Sequence, residues 1–192
     1  MSSTKLFIIL GRSASGKTSV ANSLVLENIG EFLTSYTTRE MRDNEEEGKD
    51  YYFVSKEEFD NIEMAASFEV SSQWKYGNSI NEMLKAKKIN LFFPVISMSY
   101  GLKTAKAAKD LGIDVEFLFF DLPREERHLR LKARGDSEES IINRFKIEDN
   151  EGEIDISEAN EFKTHIFSEN LSPENYLLKI KKEVFEWMFV PK

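Results

Sequence analysis

A stretch of eight residues near the start of the sequence carries residue types suited to binding a polyphosphate. The segment Gly11–Thr18 reads GRSASGKT and matches the pattern G-x-x-x-x-G-K-[ST] at every fixed position. Its glycines let backbone N–H groups turn toward phosphate oxygens, and a following helix adds partial positive charge. Lys17 can then reach the β and γ phosphates, and the Thr18 hydroxyl can coordinate Mg²⁺.

The flanking residues supply the context that this loop requires. The run Lys5–Leu10 is apolar and predicts a buried parallel strand. The segment Ser19–Leu26 has apolar residues at helical spacing. We therefore predict a strand, a phosphate loop and a helix that bind a nucleotide polyphosphate with Mg²⁺, with Thr18 as the metal ligand. The predicted polyphosphate-binding residues are Gly11, Ser13, Ala14, Ser15, Gly16, Lys17, Thr18 and Ser19.

Further strands and helices must position this loop. Apolar strands and helical segments alternate through most of the chain, which predicts an α/β fold with a parallel sheet. Residues 35–88 interrupt this alternation with several short strands and two capping boxes, at Ser55 and Ser79, so we predict an inserted domain there. The arginine-rich helices of residues 124–151 are a candidate lid.

Further local predictions are an exposed acidic segment at residues 43–48, a helix from Ser55 to about Met64, a helix that starts at Gly101, and a last helix that Ser172 caps. Pro94 is unexpected within a predicted strand, because proline cannot donate to a sheet ladder.

Composition narrows the possible partners. The chain has 192 residues, no cysteine and a net charge of −8, so we expect no disulfide, no thiolate metal site and no nucleic-acid partner. The N-terminal apolar run is too short for a signal peptide or a membrane span, and the expected location is the cytoplasm, away from membranes. His128 and His165 are far apart in sequence and are expected to be surface or packed residues.

Three groups of residues give the chain a resemblance to the guanylate kinases over about residues 5–150. They are the phosphate loop, an acceptor block of SYTTREMR from Ser35 and GKDYYFVS from Gly48, and a lid block of RLKARG from Arg130 and EESIINR from Glu138. The resemblance implies a P-loop nucleoside monophosphate kinase-like parallel sheet flanked by helices. It also implies a small mixed-β acceptor-binding insertion and a helical lid. The implied domains are a core of residues 1–34, 89–123 and 152–192, an insertion of residues 35–88, and a lid of residues 124–151.

The resemblance also implies roles for the matching positions. Arg39, Arg42, Tyr51 and Tyr76 would hold the phosphate of the acceptor nucleotide, and Ser35 would contact its base. The implied catalytic residues around the transferring phosphoryl group are Lys17, Arg42, Arg130, Arg134 and Arg144. Guanidinium groups suit this task because their planar fork matches phosphate oxygens. Arg130 and Arg134 would also fit simple ion pairs with Glu126 or Glu138.

The base-reading positions depart from the family pattern. Glu69 stands one residue early for the family's glutamate, and Val70 takes that position unless a one-residue deletion restores it. Because a strand alternates faces, this step decides whether Glu69 faces the acceptor. Asn78 follows Gly77 where the family has Ser or Thr, and Ser79 comes one position late; both stay candidates for base contact. No carboxylate lies between Leu91 and Lys109, where the two acidic positions of the family fall on Pro94 and Ile96, or on Ile96 and Met98.

Three functions fit these residues. The first is transfer of the ATP γ-phosphoryl group to GMP, giving ADP and GDP, by a monomer or homodimer. The second is a kinase on the same scaffold for another nucleoside or deoxynucleoside monophosphate or for a ribosyl phosphate. The third is a non-catalytic guanylate-kinase-like module that binds phosphopeptides, which has no need of Lys17, Thr18 or the lid arginines.

Overall fold

A computed structural model describes residues 4–43, 45–70, 73–95, 97–151, 154–168 and 173–189. In this part of the chain the strands are β1 (Lys5–Gly11), β2 (Glu31–Phe32), β3 (Ser35–Thr37), β4 (Tyr51–Phe53), β5 (Met64–Val70), β6 (Trp74–Ser79), β7 (Leu91–Val95), β8 (Asp114–Phe120) and β9 (Lys163–Phe167). The α-helices are α1 (Lys17–Leu26), α2 (Lys56–Asn61), α3 (Ile80–Leu84), α4 (Met98–Asp110), α5 (Arg124–Ala133), α6 (Glu138–Glu151) and α7 (Pro173–Phe189). Short 3-10 helices cover Lys85–Lys87 and Ile156–Ala159.

The main sheet is parallel and has the strand order β2-β7-β1-β8-β9. Its central strand, β1, is apolar from Leu6 to Leu10 and all five side chains are fully buried. Phe7 and Ile9 pack in a core with α1 and α7, while Ile8 packs in the opposite core with α4. A strand that is buried on both faces needs no alternating pattern, and this explains the continuous apolar run in the sequence.

Helix α4 begins before the predicted start at Gly101. The Ser97 hydroxyl accepts a hydrogen bond from the Tyr100 N–H at 3.4 Å and caps the helix. Gly101 therefore lies in the second turn, where an added Cβ would be 3.3 Å from the Ile8 Cγ2 atom. The glycine thus lets this helix approach the central strand closely.

Pro94 is accommodated at a sheet edge. The carbonyls of Asn90 and Phe92 accept hydrogen bonds from Glu31 and Leu33 on the β2 side of β7. Two residues further along, Pro94 turns its nitrogen to the same side, but β2 pairs only with Leu91 and Phe92. The missing N–H therefore costs no ladder bond, which is the position in which a sheet tolerates proline.

A second, mixed sheet lies between β2 and β7 in sequence and has the order β4-β3-β6-β5. Strands β3 and β4 are parallel, whereas β6 is antiparallel to both β3 and β5. Of the two predicted capping boxes, the one at Ser55 forms, since the Ser55 and Glu58 side chains each bond the other's backbone N–H. At Ser79 only half of the box forms, because the Glu82 carboxylate binds Tyr52 and Lys85 instead. Helix α2 nevertheless stops at Asn61, because Met64, where we predicted its end, already begins β5.

The predicted fold class is confirmed: a parallel sheet flanked by helices, a separate mixed sheet and a helical pair, α5 and α6, rich in arginine. Two predictions fall outside the described residues. They are the cap of the last helix at Ser172 and the position of Ile96.

Candidate active site

The phosphate loop joins the carboxyl end of β1 to the first turn of α1. Gly11 and Gly16 have φ of 154° and 100°, and Ala14 has φ of 61°. A Cβ atom at Gly11 would lie 2.5 Å from the carbonyl oxygen of Phe120, so the close approach to β8 requires glycine. The glycine spacing in the sequence thus sets the backbone path of the loop.

The loop contains a buried cation and a hydroxyl without a protein partner. The Lys17 side chain is 8% exposed, and its ammonium group donates to the Arg12 carbonyl at 3.0 Å. Burial lowers the pKa of Lys17 to about 8, while the Glu148 carboxylate opposes this shift. The buried Ser15 hydroxyl has no hydrogen-bond partner in the described residues. An ammonium and an unpaired donor in one loop fit phosphate oxygens.

A carboxylate from helix α6 contacts the same loop. The Glu148 Oε1 atom accepts a hydrogen bond from the Ser13 backbone N–H at 3.1 Å. Its Oε2 atom accepts one from the Arg127 Nη1 atom at 2.7 Å, and both side chains are nearly buried. Arg127 also donates to the carbonyls of Leu122 and Ser13. Helices α5 and α6 are thereby fastened to the phosphate loop.

An open cleft of about 390 Å³ connects the loop with the mixed sheet. Its wall includes Thr18 from the start of α1, Ser35 from β3 and Tyr51 from β4. Phe93 and Pro94 of β7 close the cleft on the side of the main sheet. Two sets of predicted site residues, from the phosphate loop and from the insertion, therefore open onto one space.

Arg39 is the most constrained of the predicted acceptor residues. Its guanidinium lies over the rings of Tyr51 and Phe53, at 5.5 and 5.6 Å from their centroids. Its Nε atom donates to the Tyr76 hydroxyl at 3.3 Å, and its two terminal nitrogens donate to Glu45 at 2.9 and 2.7 Å. The hydrogen bonds that Arg39 donates to Glu45 are the main reason that the pKa of Arg39 is raised. A planar fork held in this way can bind two oxygens of one anion.

Arg42 and Glu45 complete this group. The Arg42 side chain is exposed, and its backbone N–H donates to Glu45 at 2.9 Å. Glu45 lies in a segment that we predicted to be exposed, yet its side chain is only 11% exposed because Arg39 holds it. The same hydrogen bonds from Arg39 lower the pKa of Glu45. The structure thus brings Arg39, Tyr51 and Tyr76 together and leaves the Arg42 guanidinium in solvent.

Ser35 and Asn78 lie side by side on adjacent strands. The Ser35 hydroxyl donates to the Asn78 Oδ1 atom at 2.6 Å, and the Asn78 Nδ2 atom donates to the Thr104 hydroxyl at 3.1 Å. All three side chains are buried. Ser79, the neighbouring candidate for base contact, instead accepts the Glu82 N–H at 3.2 Å and caps α3. Ser35 therefore lines the cleft with the buried Asn78 behind it, and Ser79 has a structural partner.

Glu69 does not reach this group of residues. It pairs across the sheet with Lys75 and is exposed, whereas the adjacent Phe68 pairs with Tyr76 and stacks on it at 5.3 Å. Side chains alternate between the faces of a strand, so Glu69 projects from the face opposite Tyr76. Val70 shares the face of Phe68. The register of β5 therefore places an apolar residue where the prediction allowed a carboxylate.

The three arginines of the predicted lid bind carboxylates within residues 124–151. The Arg130 Nε atom contacts Glu126 at 3.2 Å, as the spacing of four residues indicated. Arg134 and Arg144 both contact Asp136, at 2.6 and 3.7 Å. Besides these pairs, an apolar group of Leu131, Ile141 and Phe145 packs against Ala14 of the phosphate loop. The structure brings the lid to the loop but does not bring these three arginines to the cleft wall.

Two positions at which the resemblance implies acidic residues are apolar here. Pro94, at the carboxyl end of β7, lines the cleft, and Met98 is buried in the first turn of α4.

Among the described residues, no group of three or more His, Cys, Asp or Glu side chains is arranged to hold a metal ion. Thr18, whose side chain lines the cleft, stays the predicted ligand of Mg²⁺. Across the described helices, none is long and apolar enough to cross a membrane.

Sequence reasoning missed four residues of this region: Glu45, Tyr100, Thr104 and Glu148. Glu45 lies six residues from Arg39, and its charge alone could have suggested a partner for that arginine. The other three reach the site from α4 and α6, and no local pattern marks them. Their positions follow from the packing of these helices, which a single sequence does not specify.

A parallel sheet with a glycine-rich phosphate loop after its central strand, together with an inserted sheet carrying an arginine–tyrosine cluster, defines a P-loop nucleotide-binding protein of the monophosphate kinase type. The guanylate kinase family model matches residues 3–183. The chain therefore belongs to the guanylate kinase family.

Similarity to individual proteins supports the assignment to this family. The chain is 33% identical over 173 residues to a guanylate kinase of Chlorobaculum tepidum, covering 87% of this chain and 86% of the relative. It is 31% identical over 161 residues to a guanylate kinase of Schizosaccharomyces pombe, covering 80% and 77%. The crystal structure of a guanylate kinase from Anaplasma phagocytophilum has the same fold, with a TM-score of 0.63 at 23% identity over 98% of this chain and 88% of that one.

Proposed function

We propose that this protein transfers the γ-phosphoryl group of ATP to GMP, giving ADP and GDP. One observation carries the proposal: the phosphate loop and the arginine–tyrosine cluster of the insertion both border the cleft region between Thr18, Ser35 and Tyr51. Phosphoryl transfer depends mainly on in-line positioning and on positive charge around the migrating group. A donor loop and an acceptor cluster on one cleft support the proposal with respect to the first requirement.

The proposed donor site is the loop from Gly11 to Thr18, extended by Ser19. The Lys17 ammonium would hold the β and γ phosphates, and the unpaired Ser15 hydroxyl fits a phosphate oxygen. The Thr18 hydroxyl would coordinate Mg²⁺ together with phosphate oxygens. When bound, the ion supplies positive charge for the leaving and transferring oxygens. The loop backbone orients the phosphates and so fixes the direction of transfer.

The proposed acceptor-phosphate site consists of Arg39, Arg42, Tyr51 and Tyr76. Arg39 is already oriented by the two rings beneath it, while the exposed Arg42 is available to a ligand. Ser35 and Asn78 would contact the base. Glu69 does not belong to the proposed acceptor site, because its side chain projects from the other face of β5.

Transfer also requires positive charge from the lid. Arg130, Arg134 and Arg144 would approach the phosphoryl group when residues 124–151 close over the core of residues 1–34, 89–123 and 152–192. The insertion of residues 35–88 would move toward the same core. Closure of this kind excludes water from the reacting groups. We further propose that the protein acts in the cytoplasm as a monomer or homodimer.

Lys17→Ala tests the donor site. Because the lysine charge faces oxygens that gain charge during transfer, we expect kcat to fall by at least about 100-fold. The measurement is a coupled assay of ADP formation with ATP and GMP. Thermal melting should show that the variant is folded, and Lys109→Ala, which removes an exposed lysine that pairs with Glu161 away from the cleft, is the matched control. Turnover like that of the wild type in Lys17→Ala would remove the phosphate loop from the mechanism.

The same assay with other acceptors separates the alternatives. Since the proposed base contacts Ser35 and Asn78 are both neutral side chains, another monophosphate acceptor stays the second candidate. Activity on a ribosyl phosphate or another nucleotide, with none on GMP, would replace GMP as the acceptor. Absence of transfer to every acceptor, despite ATP binding, would support a binding module.

A further inference from the structure

A neutral hydrogen-bond chain lies behind the cleft wall. It runs from the Ser35 hydroxyl to the Asn78 amide and on to the Thr104 hydroxyl, at 2.6 and 3.1 Å. The chain uses the Ser35 donor, the Asn78 oxygen and one of the two Asn78 N–H groups. Ser35 belongs both to this row of hydrogen bonds and to the wall of the cleft. A ligand that enters the cleft therefore meets the hydrogen-bonded row at Ser35.

Tyr100 stands beside this chain with its hydroxyl donor unused. Its ring packs between Phe68 and Phe93, with centroids 4.2 and 5.4 Å away, and the residue is 6% exposed. Within the described residues no hydrogen bond of good geometry satisfies the hydroxyl. Burial raises the pKa of Tyr100 and outweighs the weak contact with the Ser35 hydroxyl, which lowers that pKa, so the Tyr100 hydroxyl stays protonated. A buried donor without a partner costs stability until something accepts from it.

We propose that Tyr100 is a specificity-determining residue that donates a hydrogen bond to an acceptor atom on the base of the bound monophosphate. The proposal rests on the proposed function, since it concerns the acceptor nucleotide. The 6-oxo oxygen of guanine or hypoxanthine accepts such a bond, whereas the 6-amino group of adenine presents a donor to the same position. Tyr100 would thus favour 6-oxopurine monophosphates over AMP.

Tyr100→Phe tests this proposal because it removes only the hydroxyl. Loss of one neutral hydrogen bond should lower kcat/KM for GMP and for IMP by about 5- to 10-fold, mainly through KM, and should leave AMP unchanged. Thermal melting of the empty protein should be unchanged or higher, because an unsatisfied buried group is gone. A hydroxyl with a merely structural role would instead give a lower melting temperature.

The control is Tyr36→Phe. Tyr36 follows Ser35 in β3, so its side chain lies on the opposite face of the mixed sheet, where it packs on Tyr52 with ring centroids 4.7 Å apart. Removing its hydroxyl should therefore leave the ratios of kcat/KM for GMP, IMP and AMP unchanged. An equal loss for GMP, IMP and AMP, or no loss, would overturn the role of Tyr100. Calorimetric binding of GMP and AMP to both proteins keeps the test independent of turnover, so it separates failure of this proposal from failure of the proposed kinase activity.

A second inference comes from the other side of the phosphate loop. The Glu148 carboxylate accepts the Ser13 N–H at 3.1 Å and the Arg127 Nη1 at 2.7 Å, and it raises the pKa of Lys17 against the effect of burial. Backbone N–H groups of such a loop are donors for anions. A carboxylate oxygen and a phosphate oxygen therefore compete for the same Ser13 donor.

We infer that Glu148 is a displaceable placeholder in the phosphate loop of the empty protein. It satisfies the Ser13 N–H and the buried Arg127 charge until a nucleotide arrives, and it fastens the lid helix to the loop. This inference also rests on the proposed function, because a phosphate must replace the carboxylate. Because the Glu148 carboxylate must first be displaced, it weakens nucleotide binding. Removal of its negative charge should therefore strengthen that binding.

Glu148→Gln tests the placeholder by calorimetric binding of ATP, ADP and pyrophosphate. We expect each dissociation constant to fall by about 5- to 20-fold, which is the effect of replacing a charged competitor by a neutral one. Asp149→Asn is the matched control, since this adjacent carboxylate pairs with the exposed Arg124 at 2.6 Å. The control should leave the constants within about twofold.

Weaker or unchanged binding of ATP, ADP and pyrophosphate by Glu148→Gln would overturn the proposal that Glu148 is a placeholder. It would indicate instead that the carboxylate only positions Arg127. Thermal melts of both variants set a temperature at which each is folded. Lack of ATP binding by the wild type would count against the proposed function instead, and pyrophosphate binding would still test the competition with Glu148.

Discussion

Arg39 shows how a single residue is prepared for its ligand. Two aromatic rings lie beneath the guanidinium, the Tyr76 hydroxyl fixes its Nε atom, and Glu45 occupies its fork. The rings and Tyr76 can stay in place when an anion replaces Glu45. Since little side-chain freedom is left to lose, binding a phosphate here costs less conformational entropy than binding it to a free arginine.

Glu69 and Arg42 give a prediction at the scale of residues. Glu69→Gln should leave the ratio of kcat/KM for GMP and AMP within about twofold, because its side chain lies across from Lys75 on the outer face. Arg42→Ala should lower kcat/KM for every monophosphate by roughly 10-fold, since a guanidinium binds phosphate and not base. Steady-state kinetics with both acceptors measure the two effects. Loss of GMP preference in Glu69→Gln would show that β5 shifts its register in solution.

The sequence predicted these residues to different extents. The phosphate loop was predictable because its chemistry lies within eight consecutive residues. The grouping of Arg39 with Tyr51 and Tyr76 depended on the family resemblance. The side of the strand on which Glu69 lies was not predictable, because one residue of register reverses it. Tyr100 and Glu148 gave no signal, since each joins the site only through the packing of its helix.

At the scale of elements, the alternation of strands and helices was sufficient to predict the main sheet. The limits of the shorter elements were less predictable. Gly101 looked like a start of α4, yet the helix begins earlier because Ser97 caps it and the glycine serves a close contact with Ile8. Pro94 argued against a strand, and the short length of β2 explains why the strand forms nevertheless.

Helices α5 and α6 are connected to the phosphate loop by two kinds of contact. The apolar group of Leu131, Ile141 and Phe145 covers Ala14, and Glu148 bonds to Ser13. Arg134 and Arg144 share the partner Asp136 instead of facing the cleft. In the proposed closure, these arginines would reach a nucleotide only by exchanging their ion pairs with Asp136 for contacts with the ligand, so closure would depend on the charge of the ligand.

The whole molecule has different chemistry at the two ends of its main sheet. The phosphate loop lies at the carboxyl end of β1, whereas Lys5 at the amino end binds the buried Glu116 of β8. Glu116 also contacts Lys163 at 3.2 Å and His165 at 2.8 Å. Burial alone would raise the pKa of Glu116, but hydrogen bonds from His165, Lys5 and Lys163 outweigh it and lower the pKa to about 2.

This cluster predicts how stability depends on pH. Because the pKa of Glu116 is lower in the folded protein, its contribution is present above the ordinary carboxyl value and is lost as the pH falls toward 2. Glu116→Gln should reduce the free energy of unfolding at pH 7 by at most about 3 kcal/mol, less where solvent screens the partly exposed lysines. Urea unfolding at pH 7 and below pH 3 should show the difference shrinking in acid.

Glu161→Gln serves as the comparison, since Glu161 is 39% exposed and pairs with Lys109 at the surface. It should leave the free energy of unfolding nearly unchanged at every pH, because solvent screens a surface pair of this kind. A loss in Glu116→Gln that stayed constant down to the lowest pH would mean that the cluster acts through packing and not through charge.

The contacts of Glu45 and Glu148 bear on which anions the empty protein accepts. Each carboxylate already occupies a fork or a loop donor that a phosphate would use, and the chain as a whole carries a charge of −8. Chloride or free phosphate from the solvent must displace a tethered competitor, whose effective concentration is high, and gains few other contacts in return. A nucleotide adds its base and sugar to the exchange. Because the protein's own acidic side chains occupy these proposed phosphate positions, binding of small inorganic anions is disfavoured relative to binding of a nucleotide.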